Sequence, residues 1–249
     1  MKYMGSKSRI AKHIVPIIQG YIDNNDINYY VEPFVGGANV IDKVVCKTRL
    51  GADKNKYLIA LLERVKFGSP LYEEVSKELY DKARNAFNSG DTSYFEDWQI
   101  GNIGFIASFN GRWFDGGYAK TGYEKTSNGL KLRNYYQEAK NNILTQAPSL
   151  KDIEFIACDY RSMPVPYDKA VIYCDPPYAN TKKYANATQF DYDEFWQWCR
   201  KMSENNIVIV SEENAPDDFR CIWQQEVSRS IKAKDKSKSV EKLFVYNNK

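Results

Sequence analysis

The stretch NYYVEPFVGGANVI, residues 28–41, decides how this chain is read. An apolar strand runs into Pro33-Phe34-Val35-Gly36-Gly37, apolar residues then resume, and the glycines allow the backbone to approach something closely. TRLGAD, residues 48–53, is a second short strand that ends on Asp53. KYLIALLERVKFG, residues 56–68, has helical periodicity and a glycine stop. The order is βαβα, with a short element after Gly37. Open α/β sheets bind ligands beyond the carboxyl ends of their strands. An acid placed there, as Asp53 is, can accept hydrogen bonds from a ribose diol. The turn is not a dinucleotide GxGxxG, because the third glycine is missing.

Working outward, residues 69–87 read as a helix opened by Ser69-Pro70, and residues 94–109 as helical despite two glycines. Residues 110–129 are a turn-rich loop that is basic and aromatic, and residues 130–146 a polar helix. Strands return at 153–159 and 169–174. A helix over 191–205 follows, with Asp191 as N-cap and Glu194 three residues on, then a strand over 206–211. Residues 221–227 and 242–247 form a terminal hairpin across a basic loop. The alternation predicts an α/β protein, a Rossmann-like doubly wound sheet. Its parts are 1–68 and 141–249, with 69–140 a mostly helical insertion.

Composition narrows the chemistry. Hydrophobic residues make up 43% of the 249 and charged residues 27%, which suits a soluble protein with a real core. No apolar run reaches the ~20 residues that span a membrane, and the N-terminus has no secretory apolar region. Five cysteines, odd in number and without CxxC, predict reduced thiols in the cytoplasm. His13 is the only histidine, so zinc sites built on several histidines are excluded, and no metal is expected. Catalysis must rest on carboxylates, amides, backbone groups and aromatics. The net charge is only +3, yet residues 1–13, 112–133 and 229–242 carry +4, +3 and +4. Three such segments converging on one face would make a footprint for a polyanion.

The second decisive stretch is KAVIYCDPPY, residues 169–178. Its apolar run delivers a carboxylate, two prolines and a tyrosine to one point. Neither proline can donate a backbone hydrogen bond, and each has a locked φ. A turn that merely ended the strand would not need Asp175 and Tyr178 together.

VEPFVGG, GAD and YCDPPY, in that order, resemble the Dam-like (D12 class) N6-adenine-specific DNA methyltransferases. KYMGSK, residues 2–7, is similar to that family's first cofactor motif, with Ser6 where the family has a second glycine. FNGRWF, residues 109–114, falls where the family has a tyrosine-asparagine-glycine run before its DNA-reading hairpin, with Phe109 replacing the tyrosine. The resemblance implies S-adenosyl-L-methionine as cofactor and double-stranded DNA as partner, with 69–140 the target-recognition segment. It further implies a monomer in the cytoplasm of a bacterial or phage-infected cell, paired with a restriction endonuclease.

The chemistry of these residues agrees with that resemblance. The exocyclic amine of adenine is a poor nucleophile because its lone pair is delocalised into the ring. Asp175 and the Pro176 carbonyl would accept its N–H groups, the Pro176-Pro177 elbow would fix that carbonyl, and the flipped base would stack on Tyr178. By resemblance Tyr3, Lys7, Phe34, Gly36, Gly37, Asp53, Asp159, Tyr160 and Asp175 hold the cofactor. Lys2, Phe109, Asn110, Arg112, Trp113, Lys120, Lys125, Lys234, Lys236 and Lys238 are the DNA-facing candidates. Three other readings compete: methylation of an amide or RNA nitrogen, which more often goes with Asn-Pro-Pro-Tyr; a DNA-binding module on an inactive methyltransferase fold; and an NAD-dependent oxidoreductase.

Overall fold

A computed structural model of the chain describes residues 1–126, 129–165, 169–177, 190–228 and 238–247. Tyr178, Lys234 and Lys236 lie outside the described residues, as does the side chain of Lys238.

The apolar stretches read as strands form one seven-stranded sheet. Its members are β1 (Tyr29–Glu32) and β2 (Thr48–Asp53) in the first half, and β5 (Ile153–Ala157), β6 (Ala170–Cys174), β7 (Ile207–Glu212), β8 (Phe219–Ser228) and β9 (Lys238–Tyr246) in the second. The spatial order is β5-β2-β1-β6-β7-β9-β8. The first five run parallel, and the β8–β9 hairpin adds an antiparallel edge. Strand order reverses between β1 and β6, the crevice where doubly wound sheets take their ligands.

Period-two alternation in the strands gives the sheet two apolar faces. Tyr30, Tyr173, Ile209 and Leu243 enter one core with Ile14 and Ile18 of α1 (Ala11–Asn24) and Leu58, Leu61 and Leu62 of α2 (Lys56–Lys66). Val31, Ile172, Val208 and Val210 enter the other, against Phe195 and Cys199 of α6 (Tyr192–Met202). Helices thus cover both faces, and the expected doubly wound sheet is present. No helix among the described residues is long and apolar enough to cross a membrane.

The middle departs from expectation in three places. Residues 69–76 are irregular, and α3 (Lys77–Ser89) starts at Ser76, whose hydroxyl accepts from Leu79 N at 3.1 Å. Ser69-Pro70 therefore does not open the helix; Ser76 offers the same capping chemistry one segment later. The apolar run near 100 is α4 (Asp97–Gly101) continued by a π-helical turn over Asn102–Ile106. The supposed helix from 130 begins instead as a strand. Here β3 (Gly122–Thr126) pairs antiparallel with β4 (Gly129–Arg133), and α5 (Tyr135–Leu150) starts only after Asn134 caps Gln137 N. Tyr80, Ile100, Ile103, Phe105 and Tyr136 belong to the same apolar cluster as α1 and α2, so the core runs unbroken from the sheet into the 69–140 segment.

Candidate active site

Four strand ends meet at the reversal point. Residues 33–37 leave β1, Asp53 closes β2, Asp159-Tyr160 follow β5, and Asp175-Pro176-Pro177 leave β6. Backbone bonds tie them together: Val35 N donates to Ala52 O at 2.7 Å, and Cys158 N to Asp53 O at 3.1 Å. The glycine turn works as the sequence demands. Gly36 has φ +48, and a side chain there would begin 3.0 Å from the Tyr3 ring. At Gly37 a Cβ would lie 2.9 Å from Tyr3 Cβ. The N-terminal segment thus lies directly over the turn. Gln146 of α5 fastens it from behind, donating to Gly37 O at 3.2 Å and Ala38 O at 2.8 Å. Gln146 was not foreseen; a glutamine in a polar helix carries no signal of its partner.

Asp53 accepts from Gly36 N at 3.2 Å through Oδ2 and from Asn55 N at 2.9 Å through Oδ1. Burial pushes its carboxyl up to about 6, against the pull of those two N–H groups. Phe34 and Tyr160 pack with ring centres 5.3 Å apart, and Phe190 and Phe195 complete an aromatic wall beside them. Asp159 is held well below the usual carboxylate range by Arg161, whose Nε lies 2.7 Å from its Oδ1, and Lys54 stands 3.7 Å away. A half-buried acid, a glycine cradle and an aromatic wall fit an adenosyl group.

Asp175 is reached from the opposite side. Lys7 Nζ sits 3.1 Å from its Oδ1 and 3.0 Å from Glu241 Oε2 of β9. Burial raises the Asp175 carboxyl to about 6; Lys7 opposes that rise and Glu241 adds to it. Lys7 is itself raised: burial would lower it, but the two carboxylates outweigh burial. Tyr192 of α6 donates to the Pro177 carbonyl, which fastens the elbow. At the end of β7, burial pushes Glu212 up to about 7, and its Oε2 has no hydrogen-bond partner among the described residues.

The DNA-facing candidates divide. Asn110, Arg112, Lys120 and Lys125 are exposed, and Phe109 stands 41% exposed against Tyr135. Lys2 pairs with Glu138 at 3.6 Å, beside the Arg133–Glu138 pair at the root of the hairpin. Gly111, at φ +64, lets the loop touch this N-terminal strip, since a Cβ there would fall 2.4 Å from Lys2 O. Trp113 must be corrected. It is buried among Phe105, Phe114, Phe87 and Tyr57, and its ring fills the space over Gly104. Its place in a basic stretch suggested the surface, but a large apolar ring beside a glycine is a core contact. Sequence reading missed the hairpin's apolar residues: Tyr123, Leu130 and Leu132 are 72%, 73% and 57% exposed. The alternation LKLR before a helix was the available signal.

Comparison with known proteins gives the chain a family. The chain is 25% identical to the type II methyltransferase M.MjaIII of Methanocaldococcus jannaschii, over 88% of this chain and 85% of that protein. A solved structure, a conserved hypothetical protein from Streptococcus pyogenes, is similar over 92% of this chain and 95% of its own, at 8% identity and a TM-score of 0.35, too distant to say anything of the site. The family model for D12 class N6 adenine-specific DNA methyltransferase matches residues 3–205, nearly everything from the N-terminal strip through α6. The chain belongs to the D12 class of N6 adenine-specific DNA methyltransferases.

Proposed function

We propose that this methyltransferase takes its methyl group from S-adenosylmethionine and delivers it to an adenine turned out of duplex DNA into the crevice between β1 and β6. The observation that carries this reading is the convergence of Asp175-Pro176-Pro177 with the Gly36-Gly37 turn and Asp53 at one reversal point. When bound, the cofactor supplies a methyl on a sulfonium, already a good electrophile. The chain's own task is therefore mainly to place the amine in line with it. Asp53 accepts from the ribose hydroxyls, Gly36 and Gly37 admit the cofactor to the backbone, and Phe34 and Tyr160 wall its adenine. Asp175 and the Pro176 carbonyl accept the two N–H groups of the target amine, which localises its lone pair. The proton released after transfer leaves the amine on the side where these acceptors stand.

Residues 69–140 serve as the target-recognition part, with the β3–β4 hairpin as its projecting element. A two-stranded ribbon fits the major groove. Arg112, Lys120, Lys125 and Lys2 supply positive charge near it, and Lys234, Lys236 and Lys238 belong to the same reading. The type II name of the M. jannaschii relative supports a restriction–modification setting; in our reading the chain acts there as a monomer in a cytoplasm, beside a nuclease. The test combines calorimetry with S-adenosylmethionine and the fluorescence of DNA carrying 2-aminopurine at the target adenine. Cofactor binding and a fluorescence rise on adding the enzyme are expected. Cofactor binding without any rise would remove base extrusion from the reading.

A further inference from the structure

The Lys7 ammonium is shared between two acids from distant parts of the chain. It is 3.1 Å from Asp175 Oδ1 at the end of β6 and 3.0 Å from Glu241 Oε2 in β9. The Lys7 side chain is 4% exposed, against 20% for Asp175 and 13% for Glu241. A cation so enclosed persists only if its partners offset the loss of water. One carboxylate would satisfy the charge; among the described residues, the second makes the group net negative, beside the point where the target amine must dock. That arrangement is costly unless it does something for the site. Resting on the reading of Asp175 as acceptor for the target amine, we propose that Lys7 and Glu241 are positioning residues: Lys7 holds the Asp175 carboxylate as an aimed, ionised acceptor, and Glu241 anchors Lys7 from β9.

The chemistry requires such a device. A protonated Asp175 would present an O–H where an acceptor is needed, and the amine's N–H would lose its partner. Burial pushes this carboxyl up, and the described groups that face it act in opposite senses. Lys7 favours the ionised form and Glu241 disfavours it. Glu32 of β1, Tyr173 of β6 and Glu212 of β7 also feel Asp175, each raised chiefly by its own burial. Only Lys7 among these brings positive charge to the carboxylate. Asp175 at about 6 therefore sits close to losing its acceptor state, and Lys7 and Glu241 push that point in opposite directions. In this reading Lys7 serves the target amine through Asp175, rather than the cofactor to which its motif assigned it.

The experiment is the pH dependence of single-turnover methyl transfer to DNA at saturating S-adenosylmethionine, which reports groups in the bound complex. Glu241→Gln, nearly isosteric, should move the acid limb down by about half to one pH unit. Lys7→Met should move it up by about 1–3 units, the range for removing a close opposite charge, and Lys7→Arg should bring it back. Cofactor affinity should change less than about threefold in all three. The proposal is overturned if the Glu241→Gln limb superimposes on wild type or moves upward. It is equally overturned if Lys7→Met loses the same factor at every pH, or if its loss is accounted for by cofactor affinity. Should Lys7→Met not fold, Glu241→Gln alone decides. Asp175→Ala separates the two levels: full activity in that variant removes the acceptor reading itself, whereas an inactive Asp175→Ala with unmoved Glu241→Gln removes only the positioning role.

Discussion

Asp53 and Asp175 are the same residue type at the ends of β2 and β6, and their neighbours give them different work. Backbone N–H groups hold both oxygens of Asp53, while an ammonium holds Asp175. Replacing Asp53 with alanine should weaken S-adenosylmethionine binding ten- to a hundredfold, since a charge-assisted hydrogen bond is worth ~1.5–3 kcal/mol. DNA affinity should hardly move, and unchanged cofactor affinity in calorimetry would show that Asp53 is not the ribose acid. Because its carboxyl lies at about 6, cofactor affinity of the wild type should fall as pH drops below that value. Both acids were legible in the sequence because an apolar strand that ends on Asp fixes where the carboxylate goes. Glu241 was not legible, because what gives it meaning is an ammonium 234 residues away. Trp113 misled for the converse reason: it stands in a basic, turn-rich stretch, while its ring fills the space over Gly104.

At the scale of elements, the β3–β4 hairpin has an uneven pair of faces. Tyr123 opposes Leu132 and Lys125 opposes Leu130, so three apolar side chains and one lysine share a face. Since they are exposed, changing Leu130 and Leu132 together to serine should alter stability by no more than about 0.5 kcal/mol. If the ribbon enters a groove, the same change should weaken binding to the methylated sequence, as read by fluorescence anisotropy. Binding equal to wild type would take the ribbon out of the interface. Arg112 makes a separate prediction. Read as a base-edge contact, Arg112→Ala should cost ~1–3 kcal/mol at one position of the recognition sequence and relax specificity there. A uniform loss across all sequences would make it a phosphate contact instead. The ribbon escaped the sequence reading because Leu130 and Leu132 run into α5 without a break, and four residues of alternation were absorbed into the helix that follows.

Across the whole molecule, strand order was readable as a class because hydrophobic alternation, glycine turns and strand-terminal acids all agree with a doubly wound sheet. The division at 69–140 corresponds to no gap in the apolar core, because α2 packs against the sheet and against α4 and α5 alike. One consequence of the topology is measurable. The strand ends enclose Asp53 after β2 and Asp175 after β6, both at about 6, and bury Glu212 at the end of β7, at about 7, all above their unfolded values. Below about pH 6.5 the folded state then binds more protons than the unfolded chain, although the buried Met1 ammonium, lowered to about 5, works the other way, so the stability of the free protein should rise as pH falls from about 6.5 to about 5.5. Urea unfolding at several pH values would read this, and a steady loss of stability over that window would contradict it. Below about pH 4 the sign reverses, as Asp159, Asp218 and Glu138, all held low by arginines, become protonated. We propose that Asp175 beside the reversal point drives methylation of adenine N6 in DNA. The most direct test is mass spectrometry of nucleosides from duplex DNA incubated with the purified protein and methyl-labelled S-adenosylmethionine. Label is expected in N6-methyladenine with the wild type, and less than a tenth of it with Asp175→Ala of unchanged melting temperature; label on another base, or more than a tenth retained by that variant, would rule this role out.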